Sequence, residues 1–220
     1  MGPRHIGCAS YAGRVRRGSG VAHTGGRLDA TSDLRYDERM ATFPELSSAA
    51  ADLVRARVRD VPDFPKPGIL FKDLTPVLGH GPTFAAITEA FVARYRGAGI
   101  VQVAVIEARG FAVGAPIAYA LGAGLTLLRK PNKLPAKKRR MTYALEYGTD
   151  ALEIHEDALA PGDRVLVIDD VLATGGTLRA AVDLVREVGA DVVEAAVVIE
   201  LSFLGGRARV GAPTAALVTY

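Results

Sequence analysis

Short apolar runs alternate with helical segments through the second half of the chain. Four runs rich in β-branched residues predict strands, at Gln102–Ile106, Leu125–Leu128, Arg164–Ile168 and Val192–Ile199. Nearly continuous apolar strands are typical of parallel sheets covered on both faces. Because helical patterns lie between these runs, the sequence predicts an α/β fold with a central, mostly parallel sheet flanked by helices.

Apolar residues three or four positions apart predict the helices of this fold. The predicted helices are Pro44–Arg59, Pro82–Arg96, a buried helix beginning at Gly110, and Thr177–Val188. The segment Val61–Gly68 contains three prolines, which exclude a helix or a central strand and predict an ordered loop.

Two further segments have a different pattern. Ile69–Phe71 is expected to form a short strand. Pro131–Glu156 is polar and lacks a helical period, and it is expected to hold a hairpin of Tyr143–Tyr147 and Ala151–His155. Connections of this length inside a compact domain are usually functional.

One uncharged stretch is long enough to raise the question of a membrane span. Gly110–Leu128 has 19 residues without a charge, close to the length that crosses a bilayer. However, Pro116 lies inside it, and the glycines of Gly122–Gly124 interrupt its last third. A buried helix, a turn and a buried strand explain the same residues, so no membrane association is expected.

Composition and charge narrow the class of protein. The 220 residues are 49% hydrophobic and 23% charged, which suits a domain with a large core. The single cysteine, Cys8, excludes a disulfide scaffold and indicates a reducing compartment, the cytoplasm. The net charge of +3 belongs entirely to residues 1–40, with seven arginines and four acids, while the remainder has 20 basic and 20 acidic residues. A nucleic-acid-binding body is therefore not expected.

Residues 1–40 differ from the rest of the chain. They are rich in Gly, Ser and Arg, and they predict a disordered N-terminal extension preceding a folded domain at 41–220. Their first 28 residues hold five arginines and no acid, as in a transit peptide. A misassigned start, with Met40 as the true first residue, is a third interpretation.

The most informative segment is VLVIDDVLATGGT, Val165–Thr177. A buried strand ends in the carboxylates of Asp169 and Asp170, and a turn of small residues then opens a helix. The backbone N–H groups of Thr174–Thr177 and two hydroxyls suit a phosphate at that helix N-terminus. The segment lacks the lysine of a Walker loop and the spacing of a dinucleotide fingerprint.

The two acids are better placed one step away from the phosphate. There they accept hydrogen bonds from vicinal hydroxyls or hold water on Mg²⁺. Sugar hydroxyls beside a terminal phosphate describe a ribose 5-phosphate group. The plainer alternative is a strand, turn and helix whose aspartates merely cap the helix.

The same segment resembles the phosphoribosyl-pyrophosphate (PRPP) motif of the type I phosphoribosyltransferases. More specifically, the chain from about Ala49 to the C-terminus resembles the adenine phosphoribosyltransferase family. The strings that carry this resemblance are PDFPKPGILFKDLTPVL, IEARGF, RKPNKLP and YALEYGTDALEIHEDAL. The resemblance implies the type I phosphoribosyltransferase fold, with a small N-terminal hood at about 60–78 and a long mobile loop at about 131–147.

The resemblance also implies the reaction and its participants. Such an enzyme converts adenine and PRPP to AMP and pyrophosphate in purine salvage, with Mg²⁺ carried by PRPP and no metal held by the protein alone. The resemblance implies a homodimer and a non-proline cis peptide within Glu107–Gly110. Two rivals are transfer to another base, such as hypoxanthine, xanthine or orotate, and a PRPP-sensing regulator of the same fold.

The site residues follow by matching motifs, and each implied role rests on the resemblance. Arg109 matches the pyrophosphate-binding arginine, and Glu146 matches the catalytic glutamate that handles the proton exchanged at adenine. The PRPP-binding set is Asp169, Asp170, Ala173, Thr174, Gly175, Gly176, Thr177, Arg109, Lys130 and Lys133. The closing loop carries Tyr143 and Tyr147, and the adenine-binding set is Leu70, Phe71 and Lys72.

Each role has a plainer alternative. Arg109 could be a surface arginine, Glu146 a carboxylate at a hairpin edge, and Phe71 part of the hood's own core. Lys72 stands where family members often have arginine, and lysine keeps the charge but lacks a planar group that can stack. Basic residues 137–140 are interpreted as a solvated patch, and His80 and His155 as surface or structural residues.

Overall fold

The computed structural model describes residues 43–144 and 148–220. The predictions for residues 1–40 and for Met40 lie outside this part of the chain, as do Glu146 and Tyr147. The strands are β1 (Arg59–Pro62), β2 (Leu70–Asp73), β3 (Gln102–Ile106), β4 (Gly124–Leu128), β5 (Lys138–Ala144), β6 (Thr149–His155), β7 (Arg164–Leu172), β8 (Asp191–Glu200) and β9 (Thr214–Thr219). The α-helices are α1 (Ser48–Arg55), α2 (Thr75–Leu78), α3 (Gly81–Tyr95), α4 (Arg109–Leu121), α5 (Gly176–Glu187) and α6 (Arg207–Val210), and Ser202–Leu204 form a 3₁₀ turn.

A five-stranded sheet forms the centre of the described fold, in the order β4-β3-β7-β8-β9. Every neighbouring pair in it is parallel, which confirms the predicted α/β class. One face packs on α1, α3 and α4 around Ile87, Phe91 and Ile117, and the other packs on α5 and the β5–β6 hairpin. Because all five strands run in one direction, their carboxyl ends share one edge of the sheet.

Two antiparallel ribbons flank this sheet. The first pairs β1 with β2, and the second pairs β5 with β6. The hairpin predicted in the polar excursion is confirmed, but its first strand begins at Lys138 and not at Tyr143. The basic residues 138–140 therefore lie in β5, where pairing with β6 outweighs their polarity.

The predicted helix Pro44–Arg59 is too long at both ends. Helix α1 covers Ser48–Arg55, and Arg59–Pro62 form β1, because these residues pair with β2. Val61 and Pro62 are therefore in a short two-stranded ribbon and not in a loop. The expectation that this segment forms no central strand is confirmed.

The strand that carries the two aspartates is also longer than predicted. Strand β7 continues to Leu172, so Asp169 and Asp170 lie inside the strand and not beyond its end. The reason is β8, which is long enough to pair with β7 as far as Leu172 opposite Glu200. Both aspartates therefore lie in the last part of β7, just before the turn that starts at Ala173.

The apolar stretch from Gly110 is a helix followed by a strand, as predicted. Helix α4 continues through Pro116 and ends at Leu121, with Gly122 in the left-handed conformation after it. The following strand β4 lies at the edge of the sheet, so Leu125 and Leu127 are exposed and the prediction of a fully buried strand is wrong. No helix in the described ranges is long and apolar enough to cross a membrane.

Candidate active site

The carboxyl ends of β3, β4 and β7 bring the predicted PRPP residues to one edge of the sheet. Arg109 follows β3, Lys130 follows β4, and Ala173–Thr177 follow β7. Ligands of open α/β sheets bind at this edge. The position of the three segments is therefore that expected of a binding site.

The two aspartates at this edge are buried and differ in their surroundings. Asp169 is 8% exposed and Asp170 is 5% exposed. Asp169 Oδ1 accepts the backbone N–H of Asp170 at 2.9 Å. Burial raises the pKa of Asp169 well above its ordinary value, and the charge of Asp170 raises it further. The Asp170 carboxylate instead accepts a hydrogen bond from Arg109 Nε.

Arg109 is the first residue of α4 and is half exposed, with 50% of its side chain accessible. Its ion pair with Asp170 fixes the guanidinium over the carboxyl end of β7. The peptide bond between Glu107 and Ala108 is cis, so the structure contains the non-proline cis peptide that the resemblance implies. Arg109 is therefore not a free surface arginine.

The small-residue turn after β7 forms the start of α5. Gly175 has φ 85° and is the N-cap residue, and the helix begins at Gly176. A strand, turn and helix were predicted here, and the helix start agrees within one residue. No side chain caps this terminus, so the helix dipole and the first N–H groups face the turn.

The two lysines of the excursion are held by carboxylates. Lys130 Nζ donates to Asp150 and also, at 2.7 Å, to the hydroxyl of Tyr143. Tyr143 is buried, and its hydroxyl donates to Asp150 at 3.2 Å. Lys133 Nζ donates to Glu107. These contacts place both lysines beside the loop that carries Arg109.

Glu107 was not a predicted site residue, but its carboxylate accepts three hydrogen bonds beside Lys130 and Lys133. Its carboxylate accepts hydrogen bonds from Arg129 Nε at 2.9 Å, from the backbone N–H of Lys130 at 2.9 Å, and from Lys133 Nζ. Burial raises the pKa of Glu107, but hydrogen bonds from Lys133, Arg129 and the Lys130 backbone outweigh this effect and hold the pKa at about 2.

The predicted hood residues lie on β2. Leu70 is exposed, and Phe71 packs edge-to-face on Phe64, with 5.2 Å between ring centroids. Lys72 Nζ lies 2.6 Å from Asp60 Oδ1 and 4.4 Å from the centre of the Tyr220 ring. Phe71 thus contributes to the hood's own core, and Lys72 joins the β1–β2 ribbon to the end of the chain.

A cavity of about 580 Å³ opens beside the carboxyl ends of β8 and β9. It is lined by Glu200, Ser202, Gly205, Arg207, Ala208 and Thr219. Its lining contains no residue of the β1–β2 ribbon.

The histidines have structural partners. His80 is the N-cap residue of α3, accepts the N–H of Thr83 at 3.3 Å, and lies 3.2 Å from the Arg57 guanidinium. His155 lies at the end of β6, where its ring accepts the N–H of Ala136 at 3.4 Å. Within residues 43–144 and 148–220, no group of three or more His, Cys, Asp or Glu residues could hold a metal ion.

Similarity to known proteins agrees with this geometry. A family model described as a phosphoribosyl transferase domain matches residues 77–211. Over 170 residues the chain is 58% identical to the adenine phosphoribosyltransferase of Anaeromyxobacter dehalogenans, a match covering 77% of this chain and 99% of that protein. The chain belongs to the adenine phosphoribosyltransferase family.

Solved structures of this family have the same fold. The adenine phosphoribosyltransferase of Thermoanaerobacter pseudethanolicus is 44% identical with a TM-score of 0.75, and the match covers 77% of this chain and 99% of that one. The Saccharomyces cerevisiae enzyme, complexed with adenine and an imino-altritol bisphosphate, is 36% identical with a TM-score of 0.75, and the match covers 78% of this chain and 99% of that one.

Three carboxylates near the site of this adenine phosphoribosyltransferase fold were not predicted from the sequence. Glu107 and Asp150 hold the lysines, and buried Glu153 accepts the N–H of Asn132 at 2.9 Å. All three lie in segments already singled out, the first in IEARGF and the others in the excursion. The many lysines and arginines in these segments could have predicted these carboxylates, because buried or converging cations need counter-charges.

We expect Glu107→Gln to lower the melting temperature at neutral pH, because the amide loses the charge that attracts Lys133 and Arg129. A carboxylate whose pKa falls on folding stabilises the fold above its unfolded pKa and loses that contribution as the pH drops to the folded pKa. For Glu107 this window runs from 4.5 down to about 2. Melting curves across it should show the gap between wild type and variant closing.

The matched control is Glu156→Gln, which removes an exposed carboxylate paired with Arg139 of β5. Exposed pairs contribute little, so its melting temperature should stay near that of the wild type at every pH. A gap for Glu107→Gln that did not change between pH 5 and pH 2 would contradict the charge-based explanation.

Proposed function

We propose that this protein transfers the 5-phosphoribosyl group from PRPP to adenine, giving AMP and pyrophosphate in purine salvage. The observation that carries the proposal is the convergence, at one edge of the sheet, of the phosphate-type turn at 173–177, the buried Asp169–Asp170 pair and Arg109. This arrangement supplies separate partners for the 5-phosphate, the sugar hydroxyls and the pyrophosphate.

Each substrate group has a chemical match at this edge. The N–H groups and dipole at the start of α5 suit the 5-phosphate. The carboxylates of Asp169 and Asp170 suit the vicinal hydroxyls of the ribose, because ionised carboxylates are strong acceptors. Arg109 offers a forked set of donors to the pyrophosphate, with Lys130 and Lys133 beside it.

The reaction replaces one bond at the anomeric carbon with another. A ring nitrogen of adenine bonds to that carbon, the bond to the pyrophosphate oxygen breaks, and the ring nitrogen loses its proton. Cations placed on the pyrophosphate stabilise the charge that develops on it as it leaves. We propose that residues 131–147 close over the site and keep water from competing for the sugar.

Magnesium fits this site as a companion of PRPP. Mg²⁺ prefers oxygen ligands and keeps several waters, and the neighbouring carboxylates of Asp169 and Asp170 are oxygen ligands of the right charge. When bound, the ion would neutralise part of the pyrophosphate charge. We propose that these two residues reach it through water.

We propose that adenine lies between the β1–β2 hood and the body of the domain. Leu70 offers an exposed apolar side chain for a base face, and Lys72 ties the ribbon to Tyr220 at the end of the chain. A backbone carbonyl accepting the exocyclic amine would favour adenine over hypoxanthine, which lacks that donor.

The decisive experiment incubates the purified protein with adenine, PRPP and Mg²⁺ and follows AMP and pyrophosphate together. We expect equal amounts of the two products, no product with hypoxanthine, and no turnover after magnesium is chelated. Equal turnover of hypoxanthine would favour transfer to another base. PRPP binding without any turnover would favour the regulator.

Glu146 is the proposed residue for the proton exchanged at adenine. We expect Glu146→Leu to lower kcat by about 10²-fold, the usual size of a general acid–base contribution. Steady-state rates at saturating PRPP and adenine measure this, with Glu156→Leu, which removes an exposed carboxylate just after β6, as the control. Near-normal turnover of the Glu146 variant would leave it as an ordinary hairpin carboxylate.

A homodimer in the cytoplasm is the proposed physiological form. Exposed apolar side chains lie on β4, at Leu125 and Leu127, and on α4, at the 89%-exposed Tyr119, where a second copy would cover them. Sedimentation velocity should give twice the chain mass, and a monomer would refute the assembly. Cell fractionation checks the compartment.

A further inference from the structure

The connection between β8 and β9 touches the phosphate-type turn directly, backbone against backbone. A Cβ added at Gly206 would lie 2.0 Å from the carbonyl oxygen of Ala173. In return, a Cβ added at Gly175 would lie 2.3 Å from the carbonyl oxygen of Gly206. Because real Cβ atoms do not approach other atoms this closely, no side chain fits between the two segments.

Contacts between Arg207 and Glu200 fix the position of Gly206. Arg207 Nε donates to both oxygens of Glu200, at 2.9 and 3.1 Å, and Arg207 Nη1 donates to the carbonyl of Thr214 at 2.5 Å. The Glu200 side chain is nearly buried at the end of β8. The hydrogen bond to Glu200 raises the pKa of Arg207.

A backbone bond completes the arrangement. The N–H of Leu201 donates to the carbonyl of Leu172 at 2.9 Å, which extends the β7–β8 pairing to the residue that precedes the turn. The turn at 173–175 is thus fixed by β7 on one side and by Gly206 on the other. Phosphate binding through backbone N–H groups depends on their direction being set in advance.

We propose that Glu200, Gly206 and Arg207 are positioning residues for PRPP. They set the backbone of Ala173–Gly175, and through it the N–H groups that receive the 5-phosphate, without touching the substrate themselves. This inference rests on the proposed function, since PRPP is the ligand that the turn is taken to bind.

Gly206→Ala tests the steric part of the proposal, with Gly81→Ala as the matched control. Gly81 is the first residue of α3, and a Cβ there meets no atom within 4 Å. We expect Gly206→Ala to raise the KM and the calorimetric Kd for PRPP by about 10–100-fold, since displacement of a binding group by about 1 Å has effects of this size. The kcat at saturating PRPP should stay within about threefold of wild type.

Arg207→Lys tests the clamp more gently and serves if the alanine variant does not fold. Lysine keeps the charge but cannot reproduce the forked contact with Glu200, so the Kd for PRPP should rise by less than with Gly206→Ala, and the melting temperature should change little. Circular dichroism and melting curves establish that each variant is folded.

Failure of the proposed function and failure of the positioning role give different results. If the wild type binds no PRPP with magnesium present, the proposed function fails. If the wild type binds PRPP and both folded variants keep its Kd, the positioning role is overturned. Equal rises in the KM of PRPP and of adenine, together with a lower melting temperature, would also overturn it, because they indicate general destabilisation.

Discussion

Asp169→Asn should yield a more stable protein with weakened PRPP binding. Burial and the charge of Asp170 raise the pKa of Asp169 well above 3.8, so this acid lowers the stability of the fold at neutral pH. An amide does not titrate and keeps an oxygen that accepts the Asp170 N–H. We expect a gain of about 1–2 kcal/mol, or a few degrees in melting temperature.

The pH dependence of this gain follows from the sign of the shift. An acid whose pKa rises on folding costs stability while it is ionised, and the cost disappears as the pH falls towards its unfolded pKa. The melting temperatures of wild type and Asp169→Asn should therefore converge as the pH approaches 3.8. A variant less stable than wild type at pH 7 would contradict the proposed burial cost.

The loss of function should be large because a charged acceptor for a ribose hydroxyl is removed. Charge-assisted hydrogen bonds contribute about 1.5–3 kcal/mol each, so kcat/KM for PRPP should fall by about 10–10²-fold. Asp183→Asn, which removes a carboxylate paired with Arg179 on α5, is the control and should leave kcat/KM unchanged. A buried charge that costs stability and is needed for binding fits a functional residue.

The main sheet was predictable because its strands are apolar on both faces. Gln102–Ile106 matches β3 at both ends, and Val192–Ile199 lies within β8. The pattern could not show that β7 runs through Asp169 and Asp170, since charged residues end a strand by propensity. Only the length of β8, paired as far as Leu172, extends it.

Elements that depend on distant partners were harder to predict. Strand β9 at Thr214–Thr219 follows a glycine-rich segment and was not predicted, and it forms because β8 offers an open edge. The burial of β4 was overestimated. This strand lies at the edge of the sheet, and its place there depends on strand order, which the local sequence does not show.

The site divides in the same way. Residues 173–177 and Arg109 could be proposed as site residues because strand ends and glycine-rich helix starts leave local signals. The contacts of Glu107 and Gly206 are made with partners elsewhere in the chain. No local pattern distinguishes a carboxylate that holds a loop from one that is solvated, or a glycine in a turn from one pressed against a carbonyl.

Arg109→Lys should lower kcat/KM for PRPP by about 10²–10³-fold, the size of effect seen when one donor to a developing negative charge is removed. Lysine can still pair with Asp170, so the local ion pair and the fold should survive. What it cannot provide is the planar fork that holds two oxygens of a pyrophosphate at once.

Initial rates over a range of PRPP concentrations measure this loss, and inhibition by pyrophosphate locates it. If Arg109 binds the leaving group, the inhibition constant for pyrophosphate should rise together with the KM for PRPP, whereas the KM for adenine should hold. Arg96→Lys, an exposed arginine after α3 at the opposite edge of the sheet, should change none of these values.

A lysine variant with near-normal kcat/KM would reduce Arg109 to a counter-charge for Asp170. The ion pair itself argues for more than that. Asp170 is almost fully buried while half of the Arg109 side chain is accessible, so the guanidinium is held at one end and presented to the site at the other. A pyrophosphate arriving there would meet a donor already oriented by the carboxylate that we propose for the ribose hydroxyls, and recognition of the sugar would then be coupled to departure of the leaving group.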